Sequence, residues 1–180
     1  MTLDVFVRTM SGQSPLRHAF FEATRARWQM EDVKLHWVVD MPIREGRLWA
    51  EQQAKSEFYI FTDDDVLPWG KNWLERGLSA MSGNPQFGAC SSRSVIAEER
   101  GNYSIPEGTE ILGVPCVGAP LWMRKGLLFD NFPEHLFVEE CIVLHNYLAK
   151  KGYKEGIISG LEHLHLGFGF ATSPQLVRGF

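Results

Sequence analysis

Three consecutive aspartates, Asp63, Asp64 and Asp65, follow Thr62 at the end of an apolar run, Phe58-Tyr59-Ile60-Phe61. Like charges this close repel, so the string is costly unless a cation compensates it. In an extended segment Asp63 and Asp65 project to one side and Asp64 to the other. That shared side offers two oxygen ligands to Mg²⁺ or Mn²⁺, with water and phosphate oxygens completing an octahedron. The same string also suits a solvated acidic turn that caps the next helix, because DDD alone is a short motif. Pro68 and Gly70 fit either reading.

Other candidates lie elsewhere in the chain. Asp40 closes the apolar segment Val33–Val39, where a carboxylate meets a base or ribose hydroxyl in dinucleotide sites; before Met41-Pro42 it also reads as an ordinary turn former. His163 and His165 are expected to deliver one imidazole to a given metal site, with His165 as partner of Asp65. Either histidine is equally suited to bonding a carbonyl. Glu139-Glu140 opens a predicted helix, where the dipole favours negative charge, and Glu134 lies just ahead. Each of the three is also a candidate general base toward an acceptor hydroxyl. Arg8, Arg44 and Arg47 are the basic residues that a local pocket would draw on.

Several classes are disfavoured. No GxGxxG follows the first apolar segment and no GxxxxGK[ST] occurs, against classical dinucleotide binding and P-loop phosphoryl transfer. With 18 Lys and Arg against 22 Asp and Glu, the net charge of -4 supplies no general attraction to nucleic acid or anionic membranes. Cys90, Cys116 and Cys141 are odd in number, lack CxxC spacing and sit among apolar neighbours, which reads as free thiols in a reducing compartment. The opening TLDVFVRT lacks the features of a signal peptide, and no apolar stretch has transmembrane length. A cytoplasmic protein is expected.

The elements that must position these residues alternate between short strands and amphipathic helices. Strands are predicted at Leu3–Val7, Val33–Val39, Phe58–Phe61, Phe87–Ser91 and Tyr153–Ile158. Helices are predicted from Pro15, after the N-cap Ser14, to about Trp28, then over 45–55, 70–81, 124–129 and 138–151, the last closed by Gly152. The third strand has no polar alternation and suits a position covered on both faces. Residues 93–113 are polar and glycine-rich and read as loop. The pattern is α/β with a central, mostly parallel sheet flanked by helices. At 180 residues it makes one domain.

Taken together the elements resemble the family 2 glycosyltransferases and relatives with the GT-A nucleotide-diphospho-sugar transferase fold. VFVRTM, a helix and LHWVVD resemble the first strand and the acidic end of the second. REGRLWAEQQAKSEFYIFTDDDV resembles the helix and strand that lead into the DxD motif. VGAPLWMRKGLLFDNFPEHLFVEECIVLHNYLAKKGYK resembles the acceptor-side block, and LEHLHLG the late histidine segment. The likeness divides the single domain into a nucleotide- and donor-binding half, 1–92, and an acceptor-side half, 93–180.

The resemblance implies a hexosyltransferase-like enzyme that uses a nucleotide-diphosphate sugar and Mn²⁺ or Mg²⁺. It implies a metal held by Asp63, Asp65 and His165, a nucleotide held by Asp40 and Thr9, and donor contacts from Asp64 and Arg47. Cationic groups and metal would stabilise charge building on the leaving diphosphate. The family's usual Glu-Asp pair is absent here: depending on alignment, Cys141 or Glu140 takes the aspartate's place, and Glu140 or Glu139 is the expected base. The chain is short for the family, which implies an acceptor site that is trimmed, built by a partner subunit of a homo-oligomer, or open to a macromolecule. The acceptor is a hydroxyl on a glycan, small molecule or macromolecule. The competing readings are a nucleotidyltransferase acting on a sugar phosphate, which would want a glycine-rich basic loop where TMSGQSPLR stands, and a non-catalytic nucleotide- or glycan-binding domain.

Overall fold

The alternation of apolar residues in β1 (Leu3–Thr9) sends Val5 and Val7 to one face of a sheet and Phe6 to the other, the two-residue period of a strand. The computed structural model to which this strand belongs describes residues 2–95, 105–115, 117–129, 132–133 and 140–166. After β1, the Ser14 hydroxyl accepts the Arg17 N–H at 3.3 Å and Pro15 occupies the first turn of α1 (Pro15–Gln29), as N-cap chemistry predicts. β2 (Val33–Val39) and β3 (Phe58–Asp63) flank β1 as parallel partners, and α2 (Ile43–Gln53) makes the crossover between them.

The chain turns at 64–65 into β4 (Val66–Trp69), and α3 (Trp73–Gly83) leads to β5 (Phe87–Ser94). Then follow β6 (Ile111–Gly113), β7 (Leu121–Arg124), α4 (Glu140–Lys150) and the long β8 (Lys154–His165). The sheet runs β2-β1-β3-β7-β5-β8-β4, with β6 also paired to β8. β1, β2 and β3 are parallel, as are β5 and β8; β7 inserts antiparallel between β3 and β5. β8 pairs antiparallel with β6 at Gly156–Ile158 and with β4 at Glu162–His165. Gly160, at φ 67°, separates the two stretches. The central sheet flanked by helices is thus mixed, and its parallel character is concentrated in the amino-terminal strands.

Two cores cover the two faces. Phe58 and Ile60 of β3 join Trp28 of α1 and Trp73 and Met81 of α3, while Tyr59 and Phe61 join Ala50 of α2 and Leu144 and Leu148 of α4. This double burial explains the uninterrupted apolar run in β3. The Trp73 ring lies edge-on to Trp28 at 5.7 Å and stacks on Trp122 at 5.1 Å. Gly77 lets α3 approach that stack: a Cβ there would stand 2.2 Å from the Trp122 ring.

Three expectations change. The helix over 124–129 is absent: Arg124 ends strand β7, Gly126 takes φ 89°, which a right-handed helix does not adopt, and a turn and irregular chain follow. β6 occupies the end of the segment read as loop, where Ile111 is buried against β8. The last strand continues through both histidines because β4 pairs with its end. Among the described residues no helix is long and apolar enough to cross a membrane.

Candidate functional site at the carboxyl ends of the first three strands

Because β1, β2 and β3 are parallel, their carboxyl ends meet at one edge of the sheet, where α/β proteins place their ligands. Thr9 ends β1, Asp40 follows β2 and Asp63 ends β3. A cavity of about 600 Å³ opens there, with Arg8, Thr9, Gln13, Arg17, Asp40 and Asp63 in its wall. That volume lies in the range of sites for small organic ligands.

Asp40 adopts φ 54°, a left-handed conformation that aspartate tolerates better than most side chains. Its carboxylate accepts the Ser11 N–H at 2.7 Å and the Ser11 hydroxyl at 2.5 Å, and its own N–H donates to the Thr9 carbonyl at 3.1 Å. These Ser11 hydrogen bonds hold the Asp40 carboxyl below the usual range. The loop after β1 and the loop after β2 are thereby tied into one wall.

The three aspartates do not divide as an extended segment would divide them. The chain turns at Asp64 and Asp65, so the segment is not the extended one that the strand-geometry expectation assumes. Asp63, 23% exposed, accepts from both Nε and Nη2 of Arg8 at 2.8 Å. The side chains of Asp64 and Asp65 are only 2% and 4% exposed. Asp64 accepts from the Thr9 hydroxyl at 2.7 Å, from the Gln13 amide, and from Nη2 of Arg17 at 2.7 Å. Nη1 of the same guanidinium donates to Oδ2 of Asp65. Arg17 therefore bridges the two buried carboxylates.

His165 Nε2 lies 3.5 Å from Asp65 Oδ2. Burial alone would raise the Asp65 pKa, yet the hydrogen bond and charge of His165, with the charge of Arg17, hold it below the usual value. Asp65 Oδ1 is buried and has no hydrogen-bond partner among the described residues. His163, two residues earlier in β8, is buried, with Nδ1 2.8 Å from the Ser92 hydroxyl. Only His165, at the end of β8 and opposite Val66 in register, comes beside the aspartates.

The basic residues separate. Arg8 lines the cavity, whereas the Arg44 Nε donates to the Phe132 carbonyl at 2.7 Å and Arg47 is buried with its guanidinium 5.9 Å from the Phe61 ring centroid. Glu140 is the first residue of α4, while Glu134, Glu139 and Cys116 lie outside the described residues. Cys90 is buried and its thiol pKa is raised by burial and by Glu155; Cys141 is half-buried. Sequence reasoning missed Arg17 and Gln13. A signal existed: Ser14-Pro15 sets the helix start, so Arg17 is a cation in a first turn that has no acidic residue, the end where a helix dipole disfavours positive charge.

Among the described residues no group of three or more His, Cys, Asp and Glu side chains is gathered as for a metal ion. Asp65 and His165 nevertheless offer one oxygen and one nitrogen donor, and Asp65 Oδ1 is an acceptor without a partner among the described residues. Such partial ligation fits Mn²⁺ or Mg²⁺, which keeps water and phosphate oxygens in its other positions.

No protein-family profile matches the chain, and no curated protein matches it in sequence. Solved structures do. The mannosyltransferase PcManGT from Pyrobaculum calidifontis, in complex with GDP-Man and Mn²⁺, superposes with a TM-score of 0.61 at 16% identity, over 91% of this chain and 56% of that one. A197 from STIV gives 0.58 at 14% identity, over 92% and 85%. TarS of S. aureus gives 0.54 at 15% identity, over 98% and 39%. The chain thus spans little more than half of the mannosyltransferase and well under half of TarS. These likenesses establish the GT-A fold.

Proposed function

We propose that the chain transfers a sugar from a nucleotide-diphosphate sugar to an acceptor hydroxyl with the help of Mn²⁺ or Mg²⁺. The observation that carries this reading is the acidic edge of the GT-A sheet: Asp40, Asp63 and Asp64 line one cavity at the ends of the parallel strands, with Asp65 and His165 beside it. The mannosyltransferase of the same fold holds GDP-Man and Mn²⁺, which supports the assignment of donor class. A bound divalent ion would neutralise the negative charge that grows on the diphosphate as it leaves.

Each residue has a part in this reading. Asp40, its two oxygens held by Ser11, keeps lone pairs for a base N–H or ribose hydroxyl. Thr9 carries the backbone that fixes Asp40. Asp65 and His165 are the principal metal ligands, and Asp63, the most exposed of the three aspartates, meets the donor or the ion from the cavity side. Asp64 serves from behind by orienting Thr9, Gln13 and Arg17. Arg8 supplies positive charge at the cavity wall, the role that the family resemblance implies for Arg47. Glu140 or Glu139 takes the proton from the acceptor hydroxyl as its oxygen bonds to the sugar and the sugar–diphosphate bond breaks. We assign the reaction to the cytoplasm, where the buried Cys90 thiol would stay reduced.

A donor panel assayed for release of nucleoside diphosphate, with and without Mn²⁺, tests the reading. Release from at least one nucleotide sugar, dependent on the ion, is expected. A nucleoside diphosphate should also raise the melting temperature only when Mn²⁺ is present. Absence of both effects in a folded sample overturns the proposal.

A further inference from the structure

Arg17 stands where a metal-loaded site would need none. Its two Nη atoms neutralise Asp64 and Asp65, two carboxylates almost wholly withdrawn from water, while its own side chain is 42% exposed. Buried carboxylates demand such a partner. A divalent ion at Asp65, however, would face a guanidinium already held by Oδ2 of the same carboxylate, and two cations at that distance repel. The guanidinium and the ion are therefore competitors.

The place to which Arg17 would move is in the same wall. It is rooted in the first turn of α1, whose end carries the positive side of the helix dipole and no acidic side chain, and it lines the cavity together with Arg8. Helix N-termini and arginine forks both suit phosphate oxygens. Resting on the reading of this cavity as a metal–diphosphate site, we propose that Arg17 is an exchangeable counter-cation. It pairs with Asp64 and Asp65 before the ion binds, yields Asp65 to the divalent ion, and then pairs with the diphosphate. Ion and diphosphate consequently bind with positive coupling, each removing the obstacle to the other. Donor binding without the ion, or ion binding without the donor, is held weak by the same side chain.

The test uses the full chain as wild type, Arg17→Met and Arg17→Lys, with Mn²⁺ and inorganic pyrophosphate as probes. Free Mn²⁺ is measured by electron paramagnetic resonance, and pyrophosphate binding by calorimetry at saturating Mn²⁺. Arg17→Met is expected to bind Mn²⁺ alone about tenfold more tightly than wild type, and pyrophosphate about tenfold more weakly, a size ordinary for coupled sites. Its melting temperature should fall without metal and recover more with Mn²⁺ than that of wild type. Arg17→Lys, which keeps the charge but loses the fork that spans both carboxylates, should shift both affinities in the same directions by less, and it decides the matter if the methionine variant does not fold. Equal Mn²⁺ affinity in wild type and variants, or undiminished pyrophosphate affinity, overturns the role of Arg17 and leaves the glycosyl-transfer reading standing. Failure of every protein to bind either probe overturns both.

Discussion

Two aspartate–histidine pairs, Asp4–His36 on β1 and β2 and Asp65–His165 between the turn after β3 and the end of β8, are built differently. At the amino end, Asp4 of β1 places Oδ1 2.7 Å from His36 Nε2 and accepts the Lys55 N–H on Oδ2 at 2.9 Å. His36 is further held by stacking on Phe6, with ring centroids 4.5 Å apart. At the carboxyl end of β3, Asp65 crowds Arg17 and His165 onto Oδ2 and leaves Oδ1 without a partner among the described residues. Both carboxyls are buried, which raises their pKa values. Both nevertheless end below the usual range, Asp4 through Lys55 and His36, Asp65 through His165 and Arg17. The difference lies in completeness: both oxygens of Asp4 have partners, whereas Asp65 Oδ1 has none among the described residues, and under the proposed function it is the oxygen a divalent ion would fill.

That contrast is open to test, and the largest effect is expected at the open pair. Asp65→Ala should reduce nucleoside diphosphate affinity in Mn²⁺ by about 100-fold or more, beyond the loss usual for groups that only orient metal ligands. Its fold should survive, because Arg17 retains Asp64. Asp4→Ala should do the reverse: it strips the Lys55 N–H of its acceptor and destabilises the chain by about 2 kcal/mol in denaturant titrations, while the folded fraction keeps wild-type nucleotide affinity. Loss of binding in Asp4→Ala at full folding would erase the distinction.

The histidines sharpen it further. His165→Gln should weaken Mn²⁺ by about tenfold, whereas His36→Gln should leave Mn²⁺ affinity unchanged. The smallest effect is in pH. For each pair the folded carboxyl is depressed, so its stabilisation is fully present above the unfolded value near 3.9 and is lost as pH falls through the lower folded value. Unfolding midpoints of the apo protein should therefore drop below about pH 4, and Asp4→Asn should flatten that drop. A midpoint that rises on acidification would contradict the direction of both shifts.

Local pattern alone determined much of this protein. Apolar runs and capping located β1, α1, β2 and β3 to within a few residues, since each has a compact apolar segment or a Ser-Pro start. The double apolar covering of β3 followed from its uninterrupted apolar run and the placement of Asp40 and Asp63 at strand ends from the alternation of elements, whereas the GT-A architecture was implied by the resemblance of four sequence blocks to that family. Tertiary structure decided which aspartates act together. That choice depends on the turn at 64–65 and on a guanidinium 47 residues earlier than Asp64 in the chain, a separation that no local period encodes. It also decided that Leu121–Arg124 is a strand, because only two cores on opposite faces tell an apolar strand from an apolar helix, and that β8 runs on to His165, because β4 is there to receive its hydrogen bonds. The aspartate triplet was visible as charge; its division into an Arg8-bound residue and an Arg17-bridged pair arose from packing, which alone sets the directions of side chains in a turn.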